Sequence, residues 1–229
     1  MGSYKVQMKK SKFKEYYALN LSFISPTLCV ICLLAGAAAG ILTESAAAFT
    51  GFTAGAWAVC LPSVMKVCSV TLYQNEAYFY QSFPVTPLQT VLAKVAVCAQ
   101  LLQIGPLAFF TAKLVTAGQL YGLEKGGLPA VILGFIGFEA FCLLSAGIIL
   151  QGMDFGNNFR DRKKGKPAAA ATVIAIGVTF GLLLLVLTKI TLKHLDNMTV
   201  VSVSAAGLVL CSILCILMNS ARMKKYYSL

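Results

Sequence analysis

The sequence predicts an all-α, polytopic membrane protein that forms a single transmembrane domain over residues 1–229. Three observations support this prediction: the composition, the length of the apolar runs and the distribution of charge. Hydrophobic residues make up 58% of the chain and charged residues only 12%. A soluble core could not bury so much apolar surface, so we expect most of it to face lipid.

Six apolar runs are each long enough to cross the hydrocarbon of a bilayer as a helix, which takes about 20 residues. They occupy residues 20–42, 47–70, 92–116, 129–151, 167–189 and 199–221. A long polar leader precedes the first run and five more runs follow it. We therefore expect an uncleaved first span rather than a signal peptide.

Lysine and arginine concentrate on one predicted side of the membrane. Fifteen of the 19 basic residues lie in or beside four segments: the two termini, the connection between the second and third spans, and the connection between the fourth and fifth spans. Because basic residues stay on the cytoplasmic side, both termini are predicted to be cytoplasmic, in a multi-pass protein of the cell membrane. The net charge of +11 therefore reflects topology, and we do not expect nucleic acid as a partner.

Residues 1–18 form a basic and aromatic lead-in to the first span. Lysines of this segment can reach anionic headgroups, while Phe13, Tyr16 and Tyr17 suit the membrane interface. One interpretation is a short helix along the cytoplasmic membrane surface. The alternative is an ordinary basic flank that only sets the topology.

A few polar residues interrupt the apolar spans. Glu139 falls near the middle of the fourth span, and Gln100 and Gln103 lie near the middle of the third. A carboxylate at that depth is costly unless it faces protein or water. One hypothesis is a translocation path lined by these three residues, and the other is interhelical hydrogen bonding that only holds the bundle together. Pro106, on the third span, is expected to kink that helix and free backbone carbonyls.

Small residues four positions apart favour close packing of the first two spans. Gly36 and Gly40 form one such pair, and Gly51 and Gly55 form another. Packing within the chain or dimerisation would use either pair.

No catalytic or metal site is predicted. The eight cysteines all fall in apolar runs, which favours small apolar residues at helix contacts over redox or metal chemistry, even for Cys29-x-x-Cys32. The single histidine, His194, lies in a distant loop, so a Cys/His metal site has little to draw on. The sequence has no Gly-x-x-x-x-Gly-Lys-Ser/Thr phosphate loop, so we expect neither an ATP site nor a cofactor in this chain.

The connection at residues 73–94 is aromatic, with one glutamate and two prolines. Helical spacing would place Glu76, Phe79, Tyr80 and Phe83 along one side of a short helix that the following proline ends. Exposed aromatic residues on a cytoplasmic helix suit a groove on a partner protein. The alternative is an interfacial helix with its rings among lipid headgroups.

The same connection resembles the first cytoplasmic loop of ABC-2 type transporter permeases. That family has a segment of the form Glu…Tyr-Phe…Ser-Leu-Pro-Val-Ser/Thr-Arg…Val-Leu-Ala-Lys after its second span. The matching residues in this chain are Glu76, Tyr78, Phe79, Ser82, Phe83, Pro84, Val85, Thr86, Val91, Leu92, Ala93 and Lys94. Two features depart from the family: Pro87 replaces a basic residue, and the outer loop between the last two spans is short, as in compact members.

The resemblance implies that residues 73–90 hold a coupling helix, between transmembrane helices 2 and 3, that docks on a cytoplasmic ATPase. The residues that it assigns to this contact are Glu76, Tyr78, Phe79, Tyr80, Phe83, Pro84, Val85 and Thr86. It also implies two partners besides membrane lipid: an ABC ATPase dimer that binds ATP and Mg²⁺, and a second, identical or related permease copy. The implied function is the membrane subunit of an exporter for a peptide, drug or lipid-like substrate.

Two other functions stay open from the sequence. A secondary transporter would use Glu139 as a proton relay. A membrane scaffold or sensor would transport nothing and would use the aromatic connection to bind a different partner.

Overall fold

The computed structural model describes residues 13–43, 46–69, 85–117, 127–156 and 197–227. We number its helices in chain order: α1 Phe13–Leu21, α2 Pro26–Leu42, α3 Ala46–Ser69, α4 Pro87–Ala117, α5 Gly127–Gly156 and α6 Met198–Tyr227. No strand occurs in the described ranges. The all-α prediction is confirmed.

Four of these helices are long and apolar enough to cross a membrane. Their spanning segments are Ala48–Cys68 in α3, Pro87–Thr116 in α4, Leu128–Gln151 in α5 and Met198–Lys224 in α6. They match four of the spans predicted from the sequence, so a multi-pass membrane protein is confirmed. The bent pair of α1 and α2 adds a fifth candidate if it counts as one span. The predicted span at 167–189 lies outside the described residues, and the total of six stays a prediction.

The predicted first span, residues 20–42, is not one straight helix. α1 ends at Leu21, α2 begins at Pro26, and the two meet at a bend of 68°. Pro26 explains the break, because its ring disfavours helical backbone at the preceding residue, and Ser25 is extended with φ −71° and ψ 122°. Proline also suits the first position of a helix, where no N–H is needed.

α1 covers the end of the predicted lead-in and packs on protein. Tyr16 is only 1% exposed and clusters with Ala93 of α4. Phe13 and Tyr17 are partly buried in the same cluster. The Tyr16 ring therefore contacts protein beside α4 rather than lipid headgroups, and the placement of this segment at the membrane interface stays a prediction.

α4 is the centre of the described bundle. It packs on α2, α3, α5 and α6, and α5 and α6 also share an extensive contact. Its buried face contributes Val95, Cys98, Leu101 and Leu102 to the main core, each at most 2% exposed. Lipid tails are as apolar as these side chains. Close van der Waals contact and hydrogen bonds therefore hold the helices together, rather than the hydrophobic effect.

Glycine brings α2 and α4 close together. A Cβ atom added at Gly36 would collide with the carbonyl oxygen of Gly105, and one at Gly40 would lie 2.5 Å from that of Phe109. The first pair of small residues therefore serves packing within the chain.

A tryptophan compensates for the proline inside α4. Pro106 has no N–H, so the carbonyl of Leu102, one turn earlier, lacks its helical donor. Trp57 of α3 donates from Nε1 to that carbonyl at 2.8 Å, and its ring stacks on Phe141 of α5 with the centroids 5.0 Å apart. Trp57 thus joins three helices where the hydrogen bonding of α4 is interrupted.

Two buried lysines of α4 bind the carboxy-terminal ends of neighbouring helices. Lys94 Nζ donates to the carbonyl of Cys68, near the end of α3, at 2.9 Å. Lys113 Nζ donates to the carbonyl of Thr43, the residue that caps α2, at 2.6 Å. Carbonyls at a helix C-terminus lack helical partners and carry partial negative charge, so each ammonium group is favourably placed.

We expect Gly36→Ala to destabilise the bundle by about 1–3 kcal/mol, because backbone cannot give way to the added Cβ as a flexible side chain could. Thermal unfolding in detergent measures this, with a thiol-reactive dye that reaches the buried cysteines as the helices separate. Gly51→Ala is the matched control, since no described atom lies within 4 Å of its added Cβ. Equal unfolding temperatures for the two variants would contradict the α2–α4 packing.

Trp57→Phe should cost about 1–3 kcal/mol, because it leaves the buried carbonyl of Leu102 without a donor. Pro106→Ala restores an N–H that can donate to that carbonyl from within α4. The same thermal assay on both single variants and the double variant should therefore show coupling, with Trp57→Phe less costly in the Pro106→Ala background. Additive effects would show that Trp57 acts through its ring alone.

Candidate functional site

Glu139 of α5 and Gln103 of α4 face each other across the contact between their helices. In the amide orientation that satisfies both groups, Gln103 Nε2 donates to both carboxylate oxygens of Glu139, each at 2.6 Å. Both side chains are partly buried. Two of the three residues predicted to line a path are thus in direct contact.

Gln100 lies about one turn before Gln103 on α4 and extends this pair toward α1. Tyr17 of α1 donates from its hydroxyl to Gln100 Oε1 at 2.6 Å. We call Tyr17, Gln100, Gln103 and Glu139 the polar track. It contains all three residues predicted to line a path and adds one from α1.

The polar track lies on the side of α4 that faces away from the core. Exposed or partly exposed residues recur every three or four positions along this side, at Leu88, Leu92, Ala96, Gln100, Gln103, Leu107, Thr111 and Leu114. Ile136, Glu139 and Leu143 follow the same pattern on α5. Among the described residues this open face is therefore largely apolar toward its ends and polar in its middle. Lipid cannot hydrogen-bond to amides or carboxylates, so we expect protein or water to cover the middle.

The two buried lysines serve as markers for the position of the pair along α4. Gln103 comes nine residues after Lys94 and ten before Lys113. At a helical rise of about 1.5 Å per residue, it is roughly 14–15 Å from each, or half the hydrocarbon thickness of about 30 Å. The Gln103–Glu139 pair therefore lies about halfway along α4 between the two helix ends that the lysines cap, and Glu139 is also near the middle of its own candidate span, Leu128–Gln151.

The chemistry of the track suits ligand binding better than proton transfer along its length. Amide side chains donate and accept hydrogen bonds but do not gain or lose protons under ordinary conditions. Gln100 and Gln103 therefore interrupt any chain of titratable groups between Tyr17 and Glu139. The described geometry favours a binding site over a relay.

Most residues assigned to the ATPase contact lie outside the described ranges, namely Glu76, Tyr78, Phe79, Tyr80, Phe83 and Pro84. Val85 is partly buried against the cluster around Tyr16. Thr86 donates from its backbone N–H to Gln89 Oε1 at 2.9 Å, and its hydroxyl accepts from the Gln89 N–H at 3.3 Å. This reciprocal capping box fixes the start of α4. Contact of these residues with an ATPase stays a prediction.

Four of the eight cysteines lie in pairs at helix contacts. Cys32 Sγ lies 3.6 Å from Cys60 Sγ at the α2–α3 contact, and Cys68 Sγ lies 3.9 Å from Cys98 Sγ at the α3–α4 contact. All eight are free thiols. Within the described ranges, no three potential metal ligands come together.

Two roles were missed by sequence reasoning. From the sequence, Lys94 counts only as one of the basic residues that set the membrane orientation. Its place inside the predicted third span was a signal that its charge needs a partner. The sequence suggests that Tyr17 suits the membrane interface, and nothing in it indicated the bond of Tyr17 to Gln100.

Comparisons of this chain with protein-family models, with curated proteins and with solved structures find no match.

Proposed function

We propose that this chain is the membrane-spanning permease subunit of an ATP-driven ABC exporter, which moves a peptide, drug or lipid-like substrate across the cell membrane. The observation that carries the proposal is the aromatic connection at residues 73–90, with its resemblance to the coupling segment of ABC-2 type permeases. The Gln103–Glu139 pair on the open face of the central helix supports a transport path. Ionisable residues deep in a span are costly, and they most often mark a substrate or ion path.

The connection between α3 and α4 supports coupling to an ATPase. Lys94 holds the carbonyl of Cys68 at one end of it, and the Thr86–Gln89 capping box fixes the other. Both anchors belong to α4, so a partner that displaces this connection would move the start of α4 with it. The amides of the polar track lie within about three turns of Lys94 on the same helix.

In this proposal, residues 73–90 dock on a cytoplasmic ATPase dimer that binds ATP and Mg²⁺. A second permease copy, identical or related, contributes the other half of the path and helps to cover the open middle of α4 and α5. ATP binding and hydrolysis shift the population between inward-facing and outward-facing states. Both termini lie in the cytoplasm.

A proton-coupled secondary transporter is the second candidate. Glu139 favours it, because a carboxyl group at mid-span can bind and release protons. The two neighbouring amides disfavour it, since protons would have to travel through water on the open face. Transport driven by a proton gradient without any ATPase would support this candidate over the exporter.

The Phe79→Ala/Phe83→Ala double variant should lose its ATPase partner while still entering the membrane. A central aromatic residue in an interface is typically worth about 2 kcal/mol or more, roughly a thirtyfold change in affinity. The measurement is affinity purification of the tagged chain from its source membranes. It is followed by identification of a co-purifying Walker A protein and assay of its ATP hydrolysis.

Tyr226→Ala/Tyr227→Ala is the matched control, since it removes two aromatic residues from the carboxy-terminal segment. We expect it to retain the ATPase. An unchanged ATPase yield in the Phe79/Phe83 variant, or equal loss in the tyrosine control, would contradict the assignment of the coupling residues.

Single cysteines placed in a cysteine-free variant test the orientation. Those at Ser3, Asn158 and Ser228 should react with a membrane-impermeant maleimide only from the cytoplasmic side, and those at Glu124 and Asp196 only from outside. Inside-out and right-side-out vesicles give the two kinds of access, with the cysteine-free parent as the blank. A site with the opposite access would disprove the six-span arrangement at that connection.

A further inference from the structure

We propose that the polar track binds the charged end of an amphiphilic organic cation, a protonated amine on an apolar body, with Glu139 as its counterion. This inference rests on the proposed function in treating the track as part of a transport path. It narrows the substrate class within that function.

Glu139 supplies the charge for such a ligand. Within the described residues, its carboxylate is bonded by the neutral amide of Gln103 and forms no ion pair. The two lysines buried in α4 are roughly 14–15 Å from Gln103, the hydrogen-bond partner of Glu139, along that helix. Each of them already donates to a carbonyl at a helix end. A carboxylate in such low-dielectric surroundings attracts a cation far more strongly than it would in water.

The glutamines supply neutral acceptors beside that charge. Since Gln103 Nε2 points at Glu139, its carbonyl oxygen lies on the other edge of the amide. Gln100 is exposed about one turn away. A primary ammonium group has three N–H donors and can bond to a carboxylate and an amide oxygen together. A bare divalent ion would need about six oxygen ligands, more than the described track offers.

The surroundings of the track call for an apolar ligand body. Leu92 and Ile136 on the open face are 39% and 45% exposed. Leu107 and Leu143 are partly exposed on the same side. An amphiphile could keep its body against these side chains and lipid while its amine reaches Glu139. A hydrophilic amine would have to leave water without such contacts.

Trp57 provides a built-in probe of this site. It is the only tryptophan of the chain, and it contacts Leu102, next to Gln103, and Phe141, two residues from Glu139. The full-length chain in lipid nanodiscs is titrated with dansylcadaverine, a primary amine on an aromatic body. Energy transfer from Trp57 to the dansyl group measures binding, and N-acetylated dansylcadaverine is the neutral control ligand.

We expect saturable transfer for dansylcadaverine, displaced by dodecylamine, and at least about tenfold weaker binding of the acetylated analogue. Glu139→Gln keeps the size and hydrogen bonding of the side chain. It should weaken binding of the amine by about tenfold while leaving that of the acetylated analogue unchanged. Glu124→Gln removes the same charge from the connection between α4 and α5 and should bind as the wild type does.

Equal affinity of the wild type for the amine and its acetylated analogue would overturn the inference, and this comparison requires no variant to fold. So would a lack of saturable transfer, or displacement by Na⁺ but not by dodecylamine, which would reassign the site to an inorganic cation. Amine binding without a co-purifying ATPase would keep the cation site and reject the exporter. A co-purifying ATPase without amine binding would do the reverse.

Discussion

The arrangement of the helices depends on one constraint: a backbone carbonyl inside lipid must find its donor within the protein. α4 takes part in three of these bonds between helices, and a fourth joins α5 and α6, where Asn219 Nδ2 donates to the carbonyl of Gly147 at 3.0 Å. Lys94 and Lys113 donate to the ends of α3 and α2, and Trp57 of α3 donates to the carbonyl that Pro106 leaves without a partner in α4. Because every one of these bonds crosses a helix contact, satisfying the carbonyls also determines where α2 and α3 lie against α4.

The orientation of the polar track follows from these bonds. Cys98, Leu101 and Leu102 of α4 face the core. Rotation of α4 about its axis would break the bonds of its two lysines to the ends of α3 and α2. Gln100 and Gln103 are offset from the buried residues by the helical repeat and therefore come to lie on the open face. The packing of α4 thus fixes the positions of the two amides.

Properties that depend on composition and periodicity could be predicted from the sequence, and properties that depend on a partner from another helix mostly could not. The all-α class, the four long spans and the place of Glu139 near the middle of its span belong to the first group. The sequence suggested either a shared path or interhelical hydrogen bonding for Gln103 and Glu139, but it did not show that these two residues bond to each other. The bend at Pro26 depends on local backbone sterics, and the hydropathy of an apolar run does not reveal these. The bonds of Tyr17 and Lys94 depend on which helices pack together, which no single span reveals.

The amide opposite Glu139 is what makes a reversible cation site physically reasonable. The glutamine amide has N–H donors on one edge and a carbonyl acceptor on the other. A 180° rotation of the Gln103 amide group therefore lets it donate to a carboxylate or accept from a neutral carboxylic acid. A lysine at the same depth would compete with any cationic ligand, and loss of either charge would leave the other buried and unpaired. A site that must bind a cation and then release it needs a resting partner that holds the carboxyl group without neutralising it, and an amide meets that need.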